Sequence, residues 1–80
     1  ARDLAAVGIR VNTIAPGAFA TPPMLAVPEP LRDTLTAAVP FPRRLGDPAE
    51  FAELALQLLR NDYLNGESIR LDGAVRMPAR

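Results

Sequence analysis

The sequence predicts an α/β chain built on one parallel β-α-β unit. Three observations carry that expectation. A β-branched run from Ile9 to Ala15 is closed by Pro16-Gly17. A helix signature runs from Asp47 to Arg60. A second short run, Ser68 to Leu71, is bounded by Asn65-Gly66 and Asp72-Gly73. A strand, a crossover helix and a second strand make a parallel pair, and such a crossover is right-handed.

Arg2 to Val7 reads as the last turns of a helix, with Leu4, Ala5 and Ala6 as good formers. Gly8 stands where a left-handed C-cap is wanted, and Ile9 follows as its apolar clamp. The chain opens inside this helix without a methionine, which reads as a truncated start. In the strand that follows, Ile9, Val11, Thr13 and Ala15 share one face and Ile14 lies on the other. Apolar residues on both faces predict a strand covered on both sides. From Ala18 to Pro42 the character changes. Six of the nine prolines fall here, so no long element runs through. A short helix fits Glu29 to Ala38, with Leu31, Leu35 and Val39 on one side. A proline-punctuated excursion of this length is more often functional than idle.

In the crossover helix Asp47 is the N-cap, Pro48 the first helical residue and Glu50 the reciprocal partner of a capping box. Phe51, Leu54, Ala55, Leu58 and Leu59 follow the spacing of one buried face. Asn61 and Asp62 end the helix. The tail to Arg80 is expected at the surface or in an interface.

Composition removes whole classes of function. Eighty residues make at most one small domain. Without cysteine or histidine there are no disulfides, no thiolate metal site and no imidazole base, so no metal is expected. Nine cations, all arginine, balance nine acids, which argues against a nucleic-acid or anionic-membrane surface. No apolar stretch approaches the roughly 20 residues that span a bilayer. With no targeting signal either, the expected setting is cytoplasmic.

Three blocks then stand out: G-I-R-V-N-T-I-A-P-G (Gly8 to Gly17, with Thr21 four residues on), R-L-G-D-P-A-E (Arg44 to Glu50) and L-N-G-E-S-I-R-L-D-G (Leu64 to Gly73). Their order and spacing resemble the short-chain dehydrogenase/reductase family over nearly the whole chain. Within it, T-P-P-M-L (Thr21 to Leu25), V-P-F-P-R-R-L-G-D-P-A-E (Val39 to Glu50) and L-D-G-A-V-R-M (Leu71 to Met77) are most similar to the 3-hydroxyacyl-CoA dehydrogenases. Many relatives carry a double glycine after the last strand, whereas here Ala74 follows Gly73.

The resemblance implies the C-terminal part of a Rossmann-like doubly wound parallel sheet. Residues 1–80 would supply the last two strands, the crossover helix and, over residues 22–42, a substrate lid. It implies hydride transfer between NAD (NADP being possible) and a hydroxyl or carbonyl carbon of an acyl-CoA-type thioester, in a homotetrameric parent. By the family's pattern Pro16 and Gly17 line the nicotinamide side, the Phe19 backbone bonds the carboxamide, and the Thr21 hydroxyl bonds the carboxamide or pyrophosphate. Met24, Leu25 and Leu31 would wall the acyl substrate. Physical sense agrees: ligands in such sheets bind beyond the carboxyl ends of the strands, glycine permits close approach, and a hydroxyl both donates and accepts.

Each feature also has a plainer reading. Pro16-Gly17 serves as a simple turn, Thr21 before two prolines as a stiffener, and Met24 and Leu25 as packing. Arg43-Arg44 reads as a solvated or salt-bridged pair before a helix rather than a phosphate clamp. Asp72-Gly73 reads as a structural turn and subunit contact.

Catalysis in the family uses a serine with a Y-x-x-x-K pair, the lysine lowering the tyrosine pKa. Here Tyr63 is followed four positions later by Glu67, and the chain has no lysine. The glycine-rich dinucleotide loop is absent as well. No catalytic residue is therefore expected in this chain, and alone it should be inactive. Ile9, Val11, Ile14, Leu54, Leu58 and Ile69 would face absent partners, leaving the isolated chain unfolded, molten or associated. Two other readings stay open: a fragment of an NADP-dependent 3-oxoacyl-carrier-protein reductase, and a noncatalytic module that pairs with a full-length relative.

Overall fold

The structure, a computed structural model, describes residues 1–76. The expectations for Met77 and the tail to Arg80 lie outside the described residues. The elements are α1 (Arg2–Ala5), β1 (Thr13–Pro16), α2 (Pro22–Leu25), α3 (Glu29–Ala37), α4 (Pro48–Arg60) and β2 (Ser68–Leu71). β1 and β2 lie side by side and parallel, with Thr13 opposite Ser68 and Pro16 opposite Leu71. The expected β-α-β unit is present.

α1 closes as its sequence requires. Gly8 adopts φ 74°, its N–H bonds the Ala5 carbonyl at 3.0 Å, and the Ile9 N–H bonds the Leu4 carbonyl at 3.2 Å. These crossed bonds satisfy carbonyls that a helix end otherwise leaves open.

β1 begins at Thr13, not at Ile9. The cause is a splice made by side chains. Asn65 Oδ1 accepts from the Val11 N–H at 3.1 Å, while Asn12 accepts from the Glu67 N–H at 3.1 Å and donates to the Leu64 carbonyl at 3.1 Å. Carboxamides imitate peptide groups, so residues 9–12 are held beside their partner without joining the regular ladder. At the other end the pairing outlasts the strand, the Gly17 N–H bonding the Leu71 carbonyl at 2.9 Å.

The capping box of α4 is complete. Asp47 Oδ1 accepts from the Ala49 N–H at 2.9 Å, and Glu50 Oε1 accepts from the Asp47 N–H at 2.8 Å. Leu58 is buried, with Leu54 and Ala55 half-buried beside it, but Leu59 is 71% exposed. The expected five-residue face is thus narrower than its spacing suggested. Leu59 sits about 100° around the helix from Leu58, and a two-stranded sheet is not wide enough to cover both.

The far end of α4 is closed from a distance. Arg10 Nη1 donates to the carbonyls of Leu58 at 2.7 Å, Leu64 at 3.1 Å and Asn61 at 3.2 Å, and Nη2 to that of Leu59 at 3.0 Å. A guanidinium suits this place because the last carbonyls of a helix are unpaired and carry partial negative charge.

The sheet is covered on one face, where the sequence suggested two. Arg10, Asn12, Ile14, Ile69 and Leu71 are half-buried on the side of α4, whereas Ile9, Val11, Thr13, Ala15, Ser68 and Arg70 are exposed. The chain supplies one crossover helix, so the second face stays bare. Among the described residues only Val39 and Leu58 are buried. The chain exposes 6251 Å² for its 8.6 kDa. A compact monomer of that mass exposes about 4,700 Å², so the excess is about 1,500 Å².

In the excursion, α2 is an addition to what the sequence suggested. Thr21 precedes it in extended conformation and Pro22 and Pro23 fill its first positions, where their missing N–H groups cost nothing. α3 matches the expected helix to within a residue. Leu31, Leu35 and Val39 do not form one face: Leu31 is 53% and Leu35 38% exposed, while Val39, beyond the helix, is buried. Val39 instead packs where a side chain at Gly73 would be; a Cβ there would stand 2.5 Å from Val39 Cγ1.

Candidate functional site

The carboxyl ends of β1 and β2 make a corner with almost no spare volume. A Cβ on Gly17 would lie 2.7 Å from the Cβ and 2.9 Å from the Cα of Asp72. The close approach that Gly17 permits is therefore made here by Asp72. Gly73 turns the other strand end at φ 61°, followed by Ala74 at φ 70°. Left-handed backbone at a residue with a Cβ costs about 1–2 kcal/mol, and Asp72 Oδ1 holds it in place by accepting from the Ala74 N–H at 3.0 Å.

Asp72 is only 10% exposed and pairs with Arg70 at 3.0 Å and Arg76 at 3.5 Å. Burial works to raise its pKa, but the bonds from Arg70 and Ala74 and the two positive charges outweigh burial and lower it. An aspartate kept ionised and fully engaged is a structural anchor, in line with the reading of Asp72-Gly73 as a turn.

Just past this corner the chain opens onto a hollow of about 410 Å³ lined by Pro16, Gly17, Ala18, Phe19, Thr21, Met24, Pro48 and Phe51. All four residues expected on the cofactor side lie on it, together with Met24 from the expected substrate lid. Leu25 and Leu31 lie outside it, 51% and 53% exposed. Pro48 and Phe51 come from α4 and were not expected at the site. Phe51 meets the Phe19 ring edge to face, with centroids 6.1 Å apart, a favourable arrangement for aromatic quadrupoles.

Phe19 is held by a contact that no local pattern announces. It pairs in parallel with Gly46, the Gly46 N–H bonding the Ala18 carbonyl at 2.9 Å and the Ala20 N–H bonding the Gly46 carbonyl at 2.8 Å. Gly46 lacks the left-handed φ that would mark it as a turn residue. A glycine without a turn to make signals a close neighbour, but the sequence does not say which one.

The loop carrying Gly46 is tied to α4 by charge. Arg44 donates from Nη1 to Glu50 Oε1 at 2.8 Å and from Nη2 to Oε2 at 3.1 Å. The Arg44 bond, followed by the Asp47 N–H, lowers the Glu50 pKa to about 2, and the same pairing raises that of Arg44. Arg44 is thus engaged with protein, as expected for a salt-bridged pair before a helix. Among the described residues no group of three or more acidic, histidine or cysteine side chains converges to hold a metal, and no helix is long and apolar enough to cross a membrane.

Comparison with known proteins places this corner in context. Residues 1–75 match the family described as Enoyl-(Acyl carrier protein) reductase. The chain is 62% identical over 77 residues to 3-hydroxyacyl-CoA dehydrogenase type-2 of Mus musculus and 60% identical to that of Homo sapiens, in each case over 96% of this chain and 30% of the relative. The crystal structure of 3-hydroxyacyl-CoA dehydrogenase type-2 from Mycobacterium avium superposes with a TM-score of 0.90 at 54% identity, over 99% of this chain and 31% of that one. The chain therefore spans about 30% of the length of the curated relatives it matches.

Proposed function

The chain belongs to the short-chain dehydrogenase/reductase family, and from that premise we propose that it is the C-terminal part of an NAD-dependent 3-hydroxyacyl-CoA dehydrogenase. The observation that carries this reading is the hollow beyond the carboxyl end of β1, where Pro16, Phe19 and Thr21 converge. Ligands in open parallel sheets bind at this end of the strands.

The residues present fit a nicotinamide. The Phe19 N–H makes no hydrogen bond among the described residues, and a free amide donor suits a carboxamide oxygen. The Thr21 hydroxyl, exposed at the rim, donates or accepts toward the carboxamide or pyrophosphate. When bound, NAD supplies the hydride acceptor. Pro16 and Ala18 shield the ring's side of the hollow, and Met24 offers an apolar surface to the acyl chain. The base for the substrate hydroxyl is not in this chain: Tyr63 is fully exposed and has no lysine four residues on. The parent supplies it, assembles as a homotetramer and takes a CoA thioester.

A chimera tests the reading: these 80 residues replace the matching part of a full-length type-2 enzyme. Oxidation of 3-hydroxyacyl-CoA with NAD should stay within about tenfold of the parent, or about 1.4 kcal/mol of transition-state stabilisation. Thr21→Val should raise KM for NAD up to about tenfold, the worth of one neutral hydrogen bond. A folded chimera that turns over only carrier-protein thioesters would move the assignment to the carrier-protein reductase branch. No turnover with either substrate ends the proposal.

The same chimera carries a pH prediction. The Glu50 pKa is lowered from 4.5 to about 2 on folding. The folded state then binds fewer protons than the unfolded state, so stability rises with pH through this window. The melting difference between the chimera and its Glu50→Gln variant should be full above pH 4.5 and fade as pH falls toward 2. A difference that persists unchanged in acid contradicts the carboxylate's role.

A further inference from the structure

Two peptide groups on either side of Phe19 face Gly46: the Ala18 carbonyl accepts from the Gly46 N–H at 2.9 Å, and the Ala20 N–H donates to the Gly46 carbonyl at 2.8 Å. In a trans peptide the N–H and C=O point in opposite directions. The Phe19 N–H, which shares a peptide with the Ala18 carbonyl, therefore points away from Gly46. So does the Phe19 carbonyl, which shares a peptide with the Ala20 N–H. The carbonyl is taken by the Thr21 N–H at 2.8 Å, whereas the Phe19 N–H has no partner among the described residues. The pairing with Gly46 is what aims this one free donor.

The pairing depends on the absence of a side chain at position 46. A Cβ there would stand 2.6 Å from Phe19 Cε2, 2.7 Å from Cδ2 and 2.9 Å from Cζ. The ring cannot give way freely, because Phe51 meets it at a centroid distance of 6.1 Å. Gly46 in turn is held between the forked Arg44–Glu50 pair and the Asp47 cap. Even the smallest side chain would press the ring toward Phe51 or lift residues 18–20 off their partner.

We propose that Gly46 is a positioning residue for the nicotinamide: its bare α-carbon lets Phe19 dock, and that docking presents the Phe19 N–H to the carboxamide of the cofactor. The inference rests on the reading above that residues 16–21 line the nicotinamide side. Gly46 itself touches neither the cofactor nor the substrate.

The test uses the active chimera. Gly46→Ala should raise KM for NAD about tenfold or more, the scale of losing one aligned hydrogen bond with its preorganisation. Affinity for ADP-ribose, which lacks the nicotinamide, should stay within about twofold, a change of under half a kcal/mol. Adding Phe19→Leu, which keeps the backbone donor but removes the clashing ring, should recover most of the NAD loss in the double variant. Three results would each overturn the proposal: an unchanged KM for NAD in Gly46→Ala, an equal loss of ADP-ribose affinity, or a folding or NAD defect that Phe19→Leu does not relieve. Failure of the unmodified chimera to turn over defeats the functional reading instead, so the two outcomes are separable.

Discussion

Purified alone, the 80-residue chain should show neither dehydrogenase turnover nor a cooperative unfolding transition. The structural reason is the bare sheet face, on which Ile9 and Val11 are 47% and 42% exposed, together with a core of only Val39 and Leu58 among the described residues. Leu58 is buried and Ile14, Leu54 and Ile69 are half-buried within the chain, contrary to expectation, so the side chains lacking neighbours are Ile9 and Val11 together with Leu4, Val7, Leu56 and Leu59. Six such partly exposed side chains forgo burial of roughly 5–10 kcal/mol. A whole small domain is stable by only about 5–15 kcal/mol. The surface excess of about 1,500 Å² is near what one partner contributes to a large obligate interface. Chemistry adds to this, since positioned acid/base catalysis supplies about 10²- to 10⁴-fold and this chain has no lysine for the family's Y-x-x-x-K pair. Calorimetry with amide exchange, alongside an NAD reduction assay, checks both halves. A sharp heat-absorption peak with protected amides in β1 and β2, or measurable turnover, would falsify the expectation.

Arg10→Met in the chimera should lower stability by about 2–3 kcal/mol, the range for losing charge-assisted hydrogen bonds and leaving helix-end carbonyls unpaired. For a protein of full family length that is about 5–10 °C in Tm. Two interactions compete for the credit. Arg10 also lies 3.8 Å from Asp62, but the Asp62 side chain is 96% exposed. Exposed ion pairs are worth about 0–1 kcal/mol, so the carbonyls should dominate. Asp62→Asn should therefore move the midpoint by under about 0.5 kcal/mol. Arg10→Lys should recover less than half of the loss, because an ammonium cannot present the planar fork that reaches both Leu58 and Leu59. An Asp62→Asn penalty equal to that of Arg10→Met would transfer the effect to the ion pair.

The contrast between Arg10 and Asp47 shows what was legible in the sequence. Asp47, Pro48 and Glu50 act on one another within a single turn, so their residue types alone dictate the capping box. Gly8 and Asn65-Gly66 likewise punctuate locally, and β2 lies where its flanking turns put it. Arg10 acts on carbonyls 48 to 54 residues away, a distance over which periodicity is silent. The early start assigned to β1 failed for the same reason, since Asn12 and Asn65 splice segments far apart in the chain. Leu59 was placed on the buried face because helical spacing says which residues align, not how wide the covering sheet is.

At the site, the resemblance named Pro16, Gly17, Phe19, Thr21 and Met24, and the fold brings them to one hollow. Phe51 carries only a core signal in the sequence and Gly46 none for the site, because their partner, Phe19, lies in another part of the chain. Ala74 at φ 70° falls where many relatives carry a second glycine, a substitution whose conformational consequence only the fold reveals.

The glycines at positions 17, 46 and 73 share a consequence for how such a protein can diversify. The space beside each α-carbon is already taken, by Asp72, Phe19 and Val39 respectively. These positions are closed to change, by drift or by an engineer. Leu25 and Leu31, half in solvent, carry no such restriction. A diverging lineage would accumulate its substitutions along the excursion, while the strand-end corner behind it stays the same.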